Sequence, residues 1–236
     1  MRSMMMRGIV AACVLVAAGP ALATGTPIDI SSGFTLDLNG SDYTSGSSYP
    51  VAGQTITIGG VDFLTGDFED TGDSGVVQTT YRSNPTSINI DIADIAHVTT
   101  LYTLINSAFS GGSTVGYLDL NFSDGETYSY ALTEGYNIRD HNSAGQPNLP
   151  GIYGTELFPG DPSVRLDAQE IDVPLQYQGL TLTSLTLRNT NVAANPFMVA
   201  ATVVTGVPEA ATWAMMLGGF SLIGATLRTR RRPATA

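Results

Sequence analysis

The 236-residue chain has no lysine, one cysteine, two histidines and one tryptophan. The cysteine, Cys13, lies before a predicted cleavage point, so the mature chain would have no thiol, no disulfide and no thiolate metal ligand. Neither His97 nor His141 lies in a hydrolase motif such as Gly-x-Ser-x-Gly or His-Glu-x-x-His. The sequence therefore favours a non-enzymatic protein whose stability comes from an apolar core.

Positive charge is scarce and lies mostly at the two ends. Between them, the only cations are Arg82, Arg139, Arg165 and Arg188, against twenty acidic residues, a formal charge of about −16. Binding of phosphates needs clustered lysine and arginine, so nucleic acid and anionic membrane surfaces are poor partners. A solvated acidic surface, calcium binding or a neutral ligand is compatible with this charge.

The first 23 residues have the pattern of a secretory signal peptide. Two arginines precede the apolar stretch 8–18, and Ala21 and Ala23 form an A-x-A cleavage site. The pattern predicts export through the Sec machinery. A lipoprotein signal ending at Cys13 is the alternative, but too few residues separate this cysteine from the preceding arginine to form an apolar region.

Residues 205–236 form a second terminal unit. A proline is followed by an uncharged stretch over residues 210–227 and by an arginine-rich end over residues 228–232. Eighteen helical residues span about 27 Å, close to the roughly 30 Å hydrocarbon thickness of a bilayer. The stretch predicts a transmembrane helix with a cytoplasmic C-terminus. An ordinary anchor helix is one interpretation of this composition.

The tail also has a specific series of residues. They are Pro208, Glu209, Trp213, Ala214, Met215, Met216, Gly219, Phe220 and Gly224, followed by Arg228, Arg230, Arg231 and Arg232. The series resembles the PEP-CTERM tail that exosortases process, with Ala210 where that family usually has a second proline. The resemblance implies an exosortase partner and transient anchoring in the inner membrane. It also implies a final place at the cell surface or in the exopolysaccharide matrix of a Gram-negative bacterium.

Residues 24–204 are predicted to form one all-β domain, an antiparallel jelly-roll-like β-sandwich. Apolar and polar residues alternate, as in the run from Ile88 to Ile92, which places one face in a core and the other in water. We predict nine strands, near 54–58, 61–64, 76–81, 88–92, 115–122, 126–132, 164–173, 180–188 and 197–204. Asp124-Gly125 is the clearest hairpin turn.

One segment departs from this alternation. Leu101, Leu104, Ile105, Ala108 and Phe109 recur at the spacing of one helix face, and two glycines follow. The spacing predicts one short helix that caps the sandwich.

The body contains a second series with a known counterpart. Residues 98–109 precede a hairpin centred on Asp124-Gly125, and Gly135-Tyr-Asn-Ile-Arg-Asp follows it. The series resembles the galactose-binding-like jelly-roll modules of bacterial carbohydrate-active proteins, with His141 where an aromatic residue is usual. The resemblance implies the sandwich fold rather than a particular sugar ligand.

Tyr136, Asn137, Arg139 and Asp140 are the candidate ligand-binding residues. They lie where a hairpin opens into the proline- and glycine-rich segment 142–162. Aromatic rings stack on sugars, and amide and carboxylate groups hydrogen-bond to sugar hydroxyls. A neutral polysaccharide suits an acidic domain better than an anionic one. The alternative is that Arg139 and Asp140 pair with each other and only hold the segment in place.

A candidate metal site lies earlier in the chain. Asp67, Glu69, Asp70 and Asp73 cluster with glycines, and Ca²⁺ requires oxygen ligands on a backbone that turns sharply. A structural Ca²⁺ is one interpretation, and a solvated acidic loop is the other. No further cofactor is indicated.

These features together predict an exported, exosortase-sorted surface or matrix protein that is non-enzymatic and binds carbohydrate. Two alternatives remain open. A secreted carbohydrate-active hydrolase would need two carboxylates about 5–10 Å apart across a cleft. A structural adhesin of the biofilm matrix would need an exposed apolar patch.

Overall fold

The computed structural model describes residues 25–38, 49–79, 86–108, 113–142, 149–157, 164–190, 194–206 and 220. Thirteen β-strands and a 3-10 helix, Ser31–Gly33, lie in these ranges. The strands are β1 (Thr26–Ile28), β2 (Leu36–Asp37), β3 (Thr55–Ile58), β4 (Val61–Leu64), β5 (Gly75–Gln78), β6 (Ser87–Ala96), β7 (Val98–Ala108), β8 (Thr114–Phe122), β9 (Thr127–Thr133), β10 (Ile152–Leu157), β11 (Arg165–Asp172), β12 (Thr181–Asn189) and β13 (Asn195–Thr205).

These strands pair antiparallel in three sheets. A seven-stranded sheet has the order β10-β11-β7-β13-β5-β2, with β1 beside β13. A four-stranded sheet has the order β6-β12-β8-β9, and β3 and β4 form a separate hairpin. The described residues therefore form an all-β, antiparallel, jelly-roll-like sandwich, which confirms the predicted fold class.

The main core lies between the two larger sheets. Leu118 and Leu120 of β8 belong to one buried cluster with Leu101 and Ile105 of β7, and all four side chains are fully buried. Alternating apolar residues indicated most of this core. The residues of the predicted strands that are buried in this core are Ile88, Ile90, Leu118, Leu120, Phe122 and Leu182, and Ile92 is partly buried against it. Phe197 and Val199 of the last predicted strand are buried in a second cluster.

A second core covers the opposite face of the seven-stranded sheet. The β3–β4 hairpin contributes Ile56, Ile58 and Phe63, which pack with Leu104 of β7 and Phe197 of β13. The two central strands of the sheet are therefore buried on both faces. Burial on both faces explains why β13 is apolar along nearly its whole length instead of alternating.

The short helix predicted over residues 101–109 is wrong. β7 runs through Val98–Ala108 as a continuous strand between β11 and β13. Leu101 and Ile105 face the main core, whereas Leu104 faces the second core. Because both faces are apolar, the spacing of these residues also matches a helix face, and periodicity alone cannot distinguish the two structures.

All nine predicted strands are present, with ends that differ by a few residues. Asp124-Gly125 joins β8 to β9 as predicted: Gly125 has a φ of +90°, and the Asp124 carboxylate accepts a hydrogen bond from the Glu126 N–H at 3.0 Å. The sequence did not indicate β1, β2 or β10. β1 and β2 are short, and β10 lies inside the proline- and glycine-rich segment 142–162.

Candidate functional site

The terminal units lie almost wholly outside the described residues. This applies to the signal peptide with Ala21 and Ala23 and to the sorting tail, except Thr205, Gly206 and Phe220; the Phe220 side chain is exposed. Within the described ranges, no helix has the length and apolar character needed to cross a bilayer. The signal peptide, the sorting motif and the transmembrane helix therefore stay predictions.

Residues 137–141 enter the seven-stranded sheet where the direct pairing of β7 with β11 ends. Ser107 of β7 donates its N–H to the Arg139 carbonyl at 3.0 Å and accepts from the His141 N–H at 2.9 Å. On the other side, the His141 carbonyl accepts from the Arg165 N–H at 3.1 Å. The segment therefore lies between β7 and β11 where these strands no longer pair directly. The Arg139 and His141 side chains are buried there.

A buried polar cluster fills this junction, and we define it as Asn106, Arg139, Thr155 and Asp167. The Asp167 carboxylate accepts from Arg139 Nε at 2.9 Å and Nη2 at 2.8 Å. It also accepts from Asn106 Nδ2 and from Thr155 Oγ1, both at 2.7 Å. The Arg139 and Asp167 side chains are 1% and 0% exposed. This enclosed, fully bonded ion pair holds the junction together.

The structure separates the four predicted ligand-binding residues. Asn137 is buried, and its side chain closes a turn through two backbone hydrogen bonds of 2.7 and 2.8 Å. Arg139 is enclosed with Asp167, a partner that the sequence did not indicate. Because both side chains are buried and bonded within the protein, the predicted ligand contact is wrong for Asn137 and Arg139. Tyr136, which is 54% exposed, and Asp140, which is partly exposed, remain accessible to a ligand.

Of the two histidines, His141 lies in the protein interior and His97 lies at a bend of the chain. The buried His141 ring lies with Nδ1 2.7 Å from the Tyr49 hydroxyl and contacts Phe197 edge-on at 5.5 Å. Burial lowers the pKa of His141, nearby Arg165 lowers it further, and Asp140 opposes the change. His97 is exposed at a φ of +58°, at the bend where the chain passes from β6 in one sheet to β7 in the other.

The candidate calcium ligands do not form a metal site. Asp67 uses its carboxylate to accept from the Gly72 N–H at 2.9 Å, and Glu69 and Asp70 are exposed in left-handed backbone conformations. Asp73 pairs with Val51 in an isolated bridge. Over the ranges that the structure describes, no three His, Cys, Asp or Glu side chains are grouped so that they could hold a metal. The solvated-loop interpretation fits this geometry better.

Partly exposed tyrosines line one edge of the sandwich. We define the tyrosine edge as Tyr128, Tyr130, Tyr136 and Tyr177. Tyr128 and Tyr130 project from the inner face of β9, the last strand of the four-stranded sheet, and pack against the margin of the main core. The Tyr177 ring lies 5.7 Å from that of Tyr128 and stacks on Phe122 at 5.2 Å.

Electrostatic effects connect the members of the tyrosine edge. Burial raises the pKa of the Tyr130 hydroxyl, and a hydrogen bond with Asn137 opposes this change. The neighbouring Tyr128, Tyr136 and Asp172 raise the pKa further. Burial also raises the pKa of Tyr128, and Asp172 and Tyr177 add to the rise. These hydroxyls therefore stay protonated at neutral pH and can both donate and accept hydrogen bonds. The exposed Asp172 adds a carboxylate nearby.

Asp167, Asp172 and Tyr177 are among the residues of these sites that the sequence did not indicate. All three come from β11 or the turn after it, about thirty or more positions beyond the candidates at 136–140. The one available signal was the alternation in β11, which places Asp167 and Gln169 on the same face as the apolar Ile171. A charged residue at such a position requires a buried partner.

No family model matches the chain, and no curated protein sequence matches it. Three solved structures are similar to it at low scores. The CBM35 from Cellvibrio japonicus Abf62 is 14% identical with a TM-score of 0.27, over 69% of this chain and 89% of that one. A Xyl-CBM35 in complex with a glucuronic acid containing disaccharide is 13% identical with a TM-score of 0.28, over 73% and 93%.

The third structure contains the CBM22-1 and GH10 modules of the Clostridium thermocellum endo-1,4-β-D-xylanase 10B, complexed with xylohexaose. It is 7% identical with a TM-score of 0.33, and the match covers 79% of this chain but only 30% of that one. Similarity at this level carries no argument about function.

Proposed function

We propose that this is an exported, non-enzymatic surface or matrix protein that binds a neutral polysaccharide at the tyrosine edge. The observation that carries the proposal is the gathering of the partly exposed Tyr128, Tyr130 and Tyr177 on one edge of the sandwich, with the exposed Tyr136 close enough to Tyr130 to raise its pKa. Tyrosine rings stack on the apolar faces of sugar rings, and their hydroxyls bind sugar hydroxyls. Side chains from β9, the turn after it and the turn after β11 together form this surface.

Packing supports a binding role for these rings because it fixes them before a ligand arrives. Tyr177 stacks on the buried Phe122 with an interplanar angle of 10°, and Tyr128 packs against Tyr177. Side chains that are already ordered lose little conformational freedom on binding, which favours affinity. Tyr136 is the most exposed of the four and is the member that can make the largest new contact.

The charge of the exported part favours a neutral ligand. A field of about −16 formal charges repels polyanions, whereas a neutral polysaccharide is unaffected. Asp172, beside the tyrosines, can accept hydrogen bonds from sugar hydroxyls.

The positions of the titratable groups support a non-enzymatic role. Asp167, a fully buried carboxylate, already accepts four hydrogen bonds and is out of reach of a substrate. His141 is buried against Tyr49, and His97 is a bend residue. A secreted hydrolase would release reducing sugar from a bound polysaccharide, so measuring reducing ends over time tests this part of the proposal directly.

Export and sorting are the second part of the proposal. The A-x-A site and the PEP-CTERM-like series carry it, and β13 ends at Thr205, just before that series begins at Pro208. Deleting Arg230 to Arg232 should impair membrane retention and processing in cells. Unchanged maturation of the deletion variant would contradict the sorting role.

Binding is tested with an array of neutral polysaccharides and the exported protein. Tyr136→Ala should weaken binding roughly threefold to tenfold, the range expected for loss of one aromatic contact. Tyr153→Ala is the matched control, because Tyr153 is 39% exposed but lies in β10, outside the tyrosine edge. Equal binding by wild type and Tyr136→Ala, or an array without any neutral ligand, would contradict the proposal.

A further inference from the structure

The structure describes three arginines of the sandwich. Two of them bind a carboxylate through Nε and Nη2, and the third, Arg165, does not. Arg139 binds the carboxylate of Asp167 through Nε and Nη2, and Arg188 binds that of Asp119 through the same two nitrogens. In Arg165, which is 4% exposed, Nε and Nη2 are buried, and neither has a hydrogen-bond partner among the described residues. Arg165 is therefore the one described arginine whose Nε and Nη2 are both buried without an acceptor.

The nearest carboxylates are already committed. Asp167 accepts its four hydrogen bonds from Arg139, Asn106 and Thr155, and Asp140 accepts from the Asn142 N–H at 2.8 Å. Burial and the nearby Arg139 lower the pKa of the Arg165 guanidinium, and Asp167 and Asp140 only partly oppose this change. Two buried N–H groups of a charged side chain are costly to leave unpaired.

We propose that the Nε and Nη2 edge of Arg165 binds the carboxylate of an acidic small molecule, such as an acidic sugar. A guanidinium edge matches the two oxygens of a carboxylate, in the way that Arg139 and Arg188 already show. This site differs from the tyrosine edge in place and in chemistry, so the inference goes beyond the proposed function.

The surroundings restrict the ligand further. Because Asp140 and Asp167 lie nearby, a singly charged anion is repelled less than a doubly charged phosphate or sulfate. Because Arg165 is almost completely buried, the group that reaches it must be small and must project from the rest of the ligand. A carboxylate on the rim of a sugar ring or at the end of a short chain meets both conditions.

The test is a titration of the exported protein with sodium galacturonate, galactose and sodium acetate. We expect galacturonate to shift the Nε–H resonance of Arg165 in a saturable manner in NMR spectra, and galactose to leave it unchanged. A similar shift with acetate assigns recognition to the carboxylate alone, and a tighter response to galacturonate assigns a part to the ring. Both of these outcomes support the site.

Calorimetry of variants provides the second measurement. Arg165→Met should lose galacturonate binding at least tenfold, whereas Arg188→Met, whose wild-type edge is already filled by Asp119, should bind as wild type does. If Arg165→Met does not fold, the wild-type titration decides alone. An unchanged Nε–H resonance with every carboxylate, or equal responses to galacturonate and galactose, would overturn the proposal. Neutral polysaccharide binding is scored separately through Tyr136→Ala, so the two proposals fail independently.

Discussion

Two arginine–aspartate pairs lie on different sheets of this sandwich, and they differ in how far they are enclosed. The pair of Arg139 and Asp167 is 1% and 0% exposed, and Asn106 and Thr155 complete its hydrogen bonds. The pair of Arg188 and Asp119 is 36% and 9% exposed, on the outer face of the four-stranded sheet. Arg188 also lies over the Tyr117 ring, 4.7 Å from its centre.

The difference in exposure determines how much each pair contributes to stability. Removing one member of an enclosed pair leaves an uncompensated charge that water cannot reach. Removing one member of an exposed pair returns the other to solvent, and salt screens the pair in any case. The enclosed pair of Arg139 and Asp167 therefore stabilises a strand junction in the seven-stranded sheet. The more exposed pair of Arg188 and Asp119 contributes less to the stability of the four-stranded sheet.

The largest effect should follow from breaking the enclosed pair. Arg139→Met leaves the Asp167 carboxylate without its cation, and we expect a loss of about 3–5 kcal/mol in the free energy of unfolding. Urea unfolding, followed by tyrosine fluorescence, measures it.

The double variant Arg139→Met with Asp167→Leu is the control. It removes both charges and should recover much of the loss, because no buried charge remains. A loss below about 1 kcal/mol in the single variant would erase the distinction between the two pairs.

A smaller loss should follow from Asn106→Ala. The change removes one donor to the Asp167 carboxylate and the acceptor of the Asp167 N–H, at 2.7 and 2.9 Å. Buried groups left unpaired cost about 1–3 kcal/mol, measurable in the same unfolding assay. Asn121→Ala on the outer polar face is the matched control, since water can replace its bonds to Ser184 and Thr186. Equal losses in the two variants would contradict the comparison.

Arg188→Met should cost less than Arg139→Met, because Arg188 is 36% exposed and its removal opens the Asp119 carboxylate to water. The cost should shrink as salt is added. Thermal unfolding of this variant and wild type at low and high ionic strength measures both effects. A loss that is independent of salt would show that the outer pair behaves as an enclosed one.

The two regions should also respond to pH in different ranges. Burial lowers the pKa of His141 in the folded protein, below the value of about 6.5 expected when the chain is unfolded. The unfolded state then binds protons more readily, so this contribution is complete above about pH 6.5 and decreases as the pH falls below it. The stability advantage of wild type over His141→Gln should therefore narrow between about pH 7.5 and pH 5. Parallel profiles would contradict this.

The smallest effect belongs to Asp119. Burial raises the pKa of its carboxyl, but hydrogen bonds from Arg188 and Ser129 outweigh burial and lower it. This contribution is present above the unfolded pKa of about 3.9 and is lost as the pH falls through the folded value. Wild type should therefore lose more stability below about pH 4 than Asp119→Asn does. Chemical unfolding at several acidic pH values is the check, and steeper loss in Asp119→Asn would reverse the assignment.

The fold could be predicted from the sequence wherever one face of a strand is wet. Alternation in β6 and β8 indicated both strands and their inner faces correctly. The prediction failed at β7, where a second core removes the polar face and with it the period of two. Sequence contains no direct record of which strands will be covered twice.

The candidate site could be predicted only in part. Tyr136 is exposed, as a binding residue must be, but Arg139, predicted to contact a ligand or to pair with Asp140, forms its ion pair with Asp167 instead. Its partner Asp167 lies 28 positions away, and only the insertion of residues 137–141 beside β11 brings the two together. The order of strands in a sheet decides such partners, and local composition does not encode it.

The position of β13 also restricts when the protein can fold. This strand is the last in the described chain, yet it pairs with β7 on one side and with β5 and β1 on the other. It supplies Met198 to the main core and Phe197 to the second core. A chain that emerges from its N-terminus first can pair β5 with β2 and β7 with β11, but the other edge of β5 and of β7 stays unpaired until residues 195–205 follow. Such late, long-range closure is slow, so the seven-stranded sheet is completed only after residues 195–205 have been synthesised.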